Sequence, residues 1–163
     1  MFEEINGLPA HPLLLHAAVV FIPLLALSAV VYALVPRLRA KIGWVAALLA
    51  IAGPVAALFA KLSGENLEKR LIAKNYGADI LAKVNDHQSY GNRTFWFSLA
   101  LGVGTLLLVL LTNGLTTARS TARGLPTWIT WVLAAAVVVL AGVTGVYVIL
   151  TGDSGSNAVW TGV

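Results

Sequence analysis

The stretch Leu13-Leu14-Leu15-His16-Ala17-Ala18-Val19-Val20-Phe21-Ile22-Pro23-Leu24-Leu25-Ala26-Leu27-Ser28-Ala29-Val30-Val31-Tyr32-Ala33-Leu34-Val35 decides the fold. It holds no charged residue, and as a helix it would reach about 35 Å, enough to cross ~30 Å of hydrocarbon. It lies inside a charge-free run, 5–36, and three more runs follow at 42–60, 94–118 and 124–152. Together these hold 105 of the 163 residues, so all 18 charges fall in the other 58. Charged residues are 11% of the chain, against about 25% in ordinary soluble domains. The reading is an all-α membrane protein: four transmembrane helices, at about 13–35, 44–60, 95–111 and 127–150, bundled as one membrane domain over 1–163. A soluble enzyme, a nucleic-acid-binding domain and a disordered chain are disfavoured.

Punctuation supports these bounds. Pro12 suits a first helical turn, where its missing N–H costs nothing, and suggests that the helix starts after His11. Pro23 should kink the first span and leave the Val19 carbonyl without its donor. Pro36 and the basic cluster Arg37, Arg39, Lys41 end that span, and Gly53-Pro54 interrupts the second. Trp44, Trp96, Trp128 and Trp131 sit near span ends, as an aromatic belt requires. Glu3 and Glu4 stand where a cleaved leader would be basic. The loops 36–43 and 112–126 carry five basic residues, Arg119 and Arg123 included, and no acid. Such short basic loops place that side in the cytoplasm and both termini outside, in a bacterial inner (plasma) membrane.

The connector 61–93 carries the other six basic residues and is long for a simple hairpin. Leu67, Leu71, Ile72, Ile80, Leu81 and Val84 recur at helical spacing, broken at Tyr76-Gly77. This predicts two short amphipathic helices on the outer surface, the first capped by Ser63 with Glu65 in its first turn. Glu65/Lys69 and Asp79/Lys83 are spaced as i,i+4 ion pairs. Small-xxx-small pairs (Ala29/Ala33, Ala46/Ala50, Gly53/Ala57, Ser98/Gly102, Ala141/Gly145) permit close helix approach. No tandem repeat stands out beyond a weak twofold likeness. The polar tail 151–163 reads either as a frayed terminus or as a segment pinned by the connector or a partner.

Chemistry has few carriers. There is no cysteine, and Met1 is the one methionine, which removes disulfides, thiolate metal sites and covalent haem. His11, His16 and His87 are the remaining soft-nitrogen donors, and all three map to the outer side. His16 lies about one turn inside the first span, on the face of Pro23, where a polar ring needs a partner. Three readings stay open for His16 and His87. They bind haem b or a transition metal, with His11 a weaker third candidate. Or His16 makes a structural hydrogen bond to the connector, through Glu65, Glu68 or Asp86, fixing it as a lid. Or the two histidines form part of a proton or ligand path. No catalytic triad, phosphate loop or HExxH pattern occurs. No mid-span charge marks an ion pathway.

Leu8-Pro9-Ala10-His11-Pro12-Leu13-Leu14-Leu15-His16, Ser63-Gly64-Glu65-Asn66-Leu67-Glu68, His87 and Gly152-Asp153-Ser154-Gly155 resemble an uncharacterised family of bacterial inner-membrane proteins, a domain of unknown function described as a predicted membrane protein. The likeness runs over essentially the whole chain and implies a four-span fold with motifs facing outward, but no reaction. Some members carry a histidine near the tail motif where this chain has Asp153. A tail ligand is therefore not carried over, and Asp153 joins Glu65, Glu68 and Asp86 as a polar contact of the connector.

The first functional expectation is a non-catalytic accessory or interaction subunit of a bacterial membrane complex, with respiratory complexes among the candidates. Its partners would be the bilayer and other membrane subunits, with no nucleic acid. The second is a haem- or metal-binding electron-transfer protein using His16 and His87. Absence of a cofactor is the starting assumption.

Overall fold

The computed structural model describes residues 4–5, 8–112 and 126–160. A two-residue antiparallel ladder, β1 (Glu4–Ile5) with β2 (Leu8–Pro9), leads into α1 (Ala10–Leu34). A 3-10 turn (Pro36–Leu38) joins it to α2 (Arg39–Ala73), followed by α3 (Ala78–Leu111) and α4 (Thr127–Trp160). All four α-helices are long and apolar enough to cross a membrane. Each packs on its chain neighbour, and α4 closes on α1 to complete a four-helix bundle. Arg119 and Arg123 of the second basic loop lie outside the described residues. α1 starts at Ala10, so His11 and Pro12 both stand in its first turn rather than before it.

The sides of the bundle are apolar and exposed, as at Leu27, Val139 and Ile149. No aqueous core argument explains this, whereas contact with lipid tails does. The interior combines large side chains such as Tyr32, Leu25, Leu101 and Leu108 with many small residues. Ala29, Ala33, Ala46, Ala50, Gly53, Ala57, Ser98, Gly102 and Ala141 are all buried, so the small-residue pairs do face inward; Gly145 is only half-buried. Among the described glycines the tightest fit is at Gly102, between α2 and α3. A Cβ at Gly102 would lie 2.4 Å from the Ala50 carbonyl oxygen and 2.9 Å from Pro54 Cγ. Pro54 has no N–H to give Ala50, four residues back, so this oxygen lacks its usual helical donor. Gly102 faces this oxygen instead, an approach of the kind that suits the weak Cα–H···O contacts recurrent between membrane helices. Hydroxyls within the bundle turn back on their own helices: Ser28 to Leu25, Ser98 to Phe95, Thr105 to Leu101 and Thr144 to Leu140. None of these groups is left unsatisfied in a medium without water.

The chain carries an internal repeat. Six of the seven buried residues of α1 (Ala18, Ile22, Leu25, Ala29, Tyr32, Ala33; Ala10 is the exception) recur in α3 as Thr94, Ser98, Leu101, Thr105, Leu108 and Val109, each 76 positions on, as from 18 to 94. Gly43, Ala46, Ala50 and Gly53 of α2 recur in α4 as Ala134, Val137, Ala141 and Thr144, each 91 on, as from 43 to 134. The α1–α2 and α3–α4 hairpins are thus two copies of one burial pattern, where the residues alone showed only a weak likeness. Residue identity differs at these positions while inward-facing spacing agrees, and spacing is what helix packing constrains.

The connector is helical in both halves, with its break where Tyr76-Gly77 predicts it. The halves are the continuous ends of α2 and α3 rather than separate short helices. α2 closes in a turn whose Asn75 takes a left-handed φ of 55°. Asn75 N–H donates to Ile72 O (3.0 Å) and Tyr76 N–H to Leu71 O (3.2 Å), the pattern that satisfies a helix's last carbonyls. Ser63 is not an N-cap: it lies buried within α2, where its hydroxyl has another partner, described below. At the opposite end, Arg39 caps α1 by donating Nε to Tyr32 O and Nη2 to Ala33 O, both at 3.1 Å.

A pair of anchored histidines

The two copies meet at His11 and His87. These occupy equivalent places, 76 positions apart like the buried faces of α1 and α3. His11 Nδ1 lies 3.0 Å from Ala60 O and 3.0 Å from Ser63 Oγ, both on α2. His87 Nδ1 lies 3.1 Å from Thr151 O and 3.2 Å from Ser154 Oγ, both on α4. In each copy the serine hydroxyl also donates to the same carbonyl, Ser63 to Ala60 O at 2.9 Å and Ser154 to Thr151 O at 3.1 Å. A carbonyl oxygen only accepts, so each Nδ1 carries the proton and donates. In the neutral ring this leaves the lone pair on Nε2.

The glycine after each serine is part of the device. A Cβ at Gly64 would stand 3.2 Å from His11 Cε1, and one at Gly155 would stand 2.9 Å from His87 Cε1. Each ring therefore rests on helix backbone, which fixes its depth as well as its tautomer. Ser63-Gly64 and Ser154-Gly155 are 91 positions apart, the same step that relates α2 to α4. The two ring centroids are 6.2 Å apart and the planes cross at 77°. Beside them, Thr94 Oγ1 bonds Thr151 Oγ1 at 2.8 Å, and Thr151 donates to Tyr147 O at 2.7 Å, tying α3 to α4 just below His87.

His16 is placed differently. Its ring is exposed, and Nδ1 lies 2.6 Å from the Pro12 carbonyl of its own helix. The structure brings His87 to His11, not to His16. Glu65 pairs with Lys61, one turn before it, instead of Lys69. Asp86 is exposed and Glu68 half-buried. Asp153 is exposed and accepts from Asn157 Nδ2 at 3.3 Å. The polar tail is helical through Trp160, and Ser154 anchors it to His87. Ser63, Gly64, Ser154 and Gly155 stand in the sequence as motif residues, and their role against the two histidines is what the sequence reading missed. Their signal was the repeated Ser-Gly-x-Asn, at 63–66 and 154–157.

Among the described residues no group of three or more His, Cys, Asp or Glu could hold a metal ion. The arrangement offers two imidazoles and small neutral neighbours. Set beside known proteins, residues 7–163 match the family model described as Predicted membrane protein (DUF2231). No curated protein and no solved structure gives a significant match.

Proposed function

For a chain that belongs to the DUF2231 family of predicted membrane proteins, we propose a role as a membrane electron-transfer protein whose transition-metal centre, haem iron or a bound ion, sits between His11 and His87. The observation that supports this is the twofold anchoring of the rings. Ligand histidines usually donate their second ring nitrogen to a carbonyl or other acceptor, which fixes the tautomer and directs the lone pair. Here both rings have that support, built from the same Ser-Gly element on two helices. On the orientation expected from the short basic loops, with both termini outside, this end would face the outer side of the membrane and exchange electrons with an extracytoplasmic partner.

The test is an absorption spectrum and metal analysis of protein purified in mild detergent. A Soret band or one equivalent of metal is expected, lost in His11→Ala and in His87→Ala but kept in His16→Ala. Absence of both from the wild-type protein would sink the proposal. A specific observation also favours a second reading, the accessory subunit. The α2–α3 hairpin exposes Ile72 (54%), Tyr76 (44%) and Ile80 (43%) at its tip, among the charged residues Lys69, Lys74 and Asp79. Copurification of a membrane-complex subunit, lost on Tyr76→Asp, would support that role.

A further inference from the structure

Resting on the metal-centre reading, we infer that the centre is a non-covalently bound haem with His11 and His87 as its two axial ligands, and that Ser63 and Ser154 hold the ligand planes crossed. Three observations carry this: ligand number, separation and plane angle.

Ligand number comes first. A bare divalent ion bound by two imidazoles still needs two or more further donors. Among the described residues, the groups against the rings are Ala60, Ser63, Gly64, Thr151, Ser154 and Gly155, with no carboxylate or thiolate. A haem supplies four nitrogens itself and takes two ligands from the protein, which is the number present. With no cysteine in the chain, attachment would be through iron alone.

The separation agrees. With metal–nitrogen bonds of about 2.0 Å, two imidazoles trans on one metal have centroids roughly 6.3 Å apart, and at a tetrahedral angle roughly 5.2 Å. With the two Nε2 lone pairs turned toward each other, the observed 6.2 Å is close to the trans value and well above the tetrahedral one. A linear two-coordinate copper(I) ion shares that geometry, so the experiment must distinguish it.

The plane angle gives the reading its signature. Each ring is tied to a different helix, His11 to α2 and His87 to α4. Turning either ring about its Cβ–Cγ bond breaks its Nδ1–H bonds to carbonyl and serine. The 77° crossing is therefore fixed by the protein before any ligand binds. Crossed imidazole planes leave two iron d orbitals nearly degenerate in a ferric low-spin haem. This yields one strongly anisotropic low-field EPR feature, whereas near-parallel planes yield a rhombic three-feature spectrum.

The experiment is optical and EPR spectroscopy, with copper and iron analysis, on the full chain purified in mild detergent from haem-replete cells. One haem per chain and the single low-field feature are expected. Ser63→Ala and Ser154→Ala should each keep the haem but move the spectrum toward the rhombic form, and Ser63→Thr, which retains the hydroxyl, should not. Haem with a rhombic wild-type spectrum overturns the plane assignment. Stoichiometric copper without a Soret band overturns the haem inference and leaves the metal-centre reading standing. Neither haem nor metal overturns both.

Discussion

Gly102→Ala should be among the most destabilising single-methyl additions in this protein. The added Cβ would sit 2.4 Å from the Ala50 carbonyl oxygen and 2.9 Å from Pro54 Cγ. Ordinary contact needs about 3.4 Å, so α2 and α3 must separate by roughly 1 Å at this contact. The obstacle is backbone in a helix and a ring without rotamer freedom, so no side chain can swing aside. Overpacking of this kind costs about 1–3 kcal/mol, and rigid backbone puts this site at the upper end. Replacing glycine by alanine within a helix returns up to about 1 kcal/mol of propensity. The net is about 2 kcal/mol, or roughly 30-fold in the unfolding equilibrium. Gly142→Ala is the control: nothing lies within 4 Å of its Cβ, so only the propensity gain applies and stability should hold or rise. Reversible unfolding in mixed micelles, followed by helical circular dichroism, measures both. If Gly102→Ala matched Gly142→Ala, the close α2–α3 contact would be refuted, and with it the helix placement that presents Ser63 and His87.

Tyr32→Phe removes a 2.6 Å hydrogen bond to Thr112 at the buried basic end of the bundle, and the same unfolding assay should report a loss of about 1 kcal/mol. Asn75→Val forces a branched residue into a left-handed φ of 55° and should cost about 1–2 kcal/mol, whereas Asn75→Gly should be neutral or stabilising. His16→Ala should change stability by less than about 0.5 kcal/mol, since the ring is exposed and bonds only the Pro12 carbonyl among its described contacts.

Legibility in the sequence followed the strength of each physical signal. The spans were readable because burying a charge in hydrocarbon is expensive, so 105 charge-free residues mark the membrane. The break at Tyr76-Gly77 was readable because backbone turns have residue preferences. Helix continuity through Lys61 was not, since a change from apolar to charged composition marks the membrane surface and not a helix end. The Ser63 reading failed for a related reason: a serine before an acidic residue resembles an N-cap, but its role in the fold is to bond an imidazole 52 positions away. The internal repeat was hidden because Ala29 against Thr105, or Gly53 against Thr144, preserve inward-facing small size rather than identity.

By itself the sequence determined that this is a four-span membrane protein whose only soft-nitrogen donors are three histidines. Both facts are set by composition, independent of how the helices pack. Which histidines meet was decided by tertiary structure alone. His16 lies five residues from His11, yet the helical turn between them sends one ring outward to the Pro12 carbonyl and the other inward to α2. The partner of His11 is His87, because two copies of one hairpin pack so that equivalent positions of α1 and α3 face each other across the bundle. One-dimensional spacing carries no information on that pairing until the helices are placed.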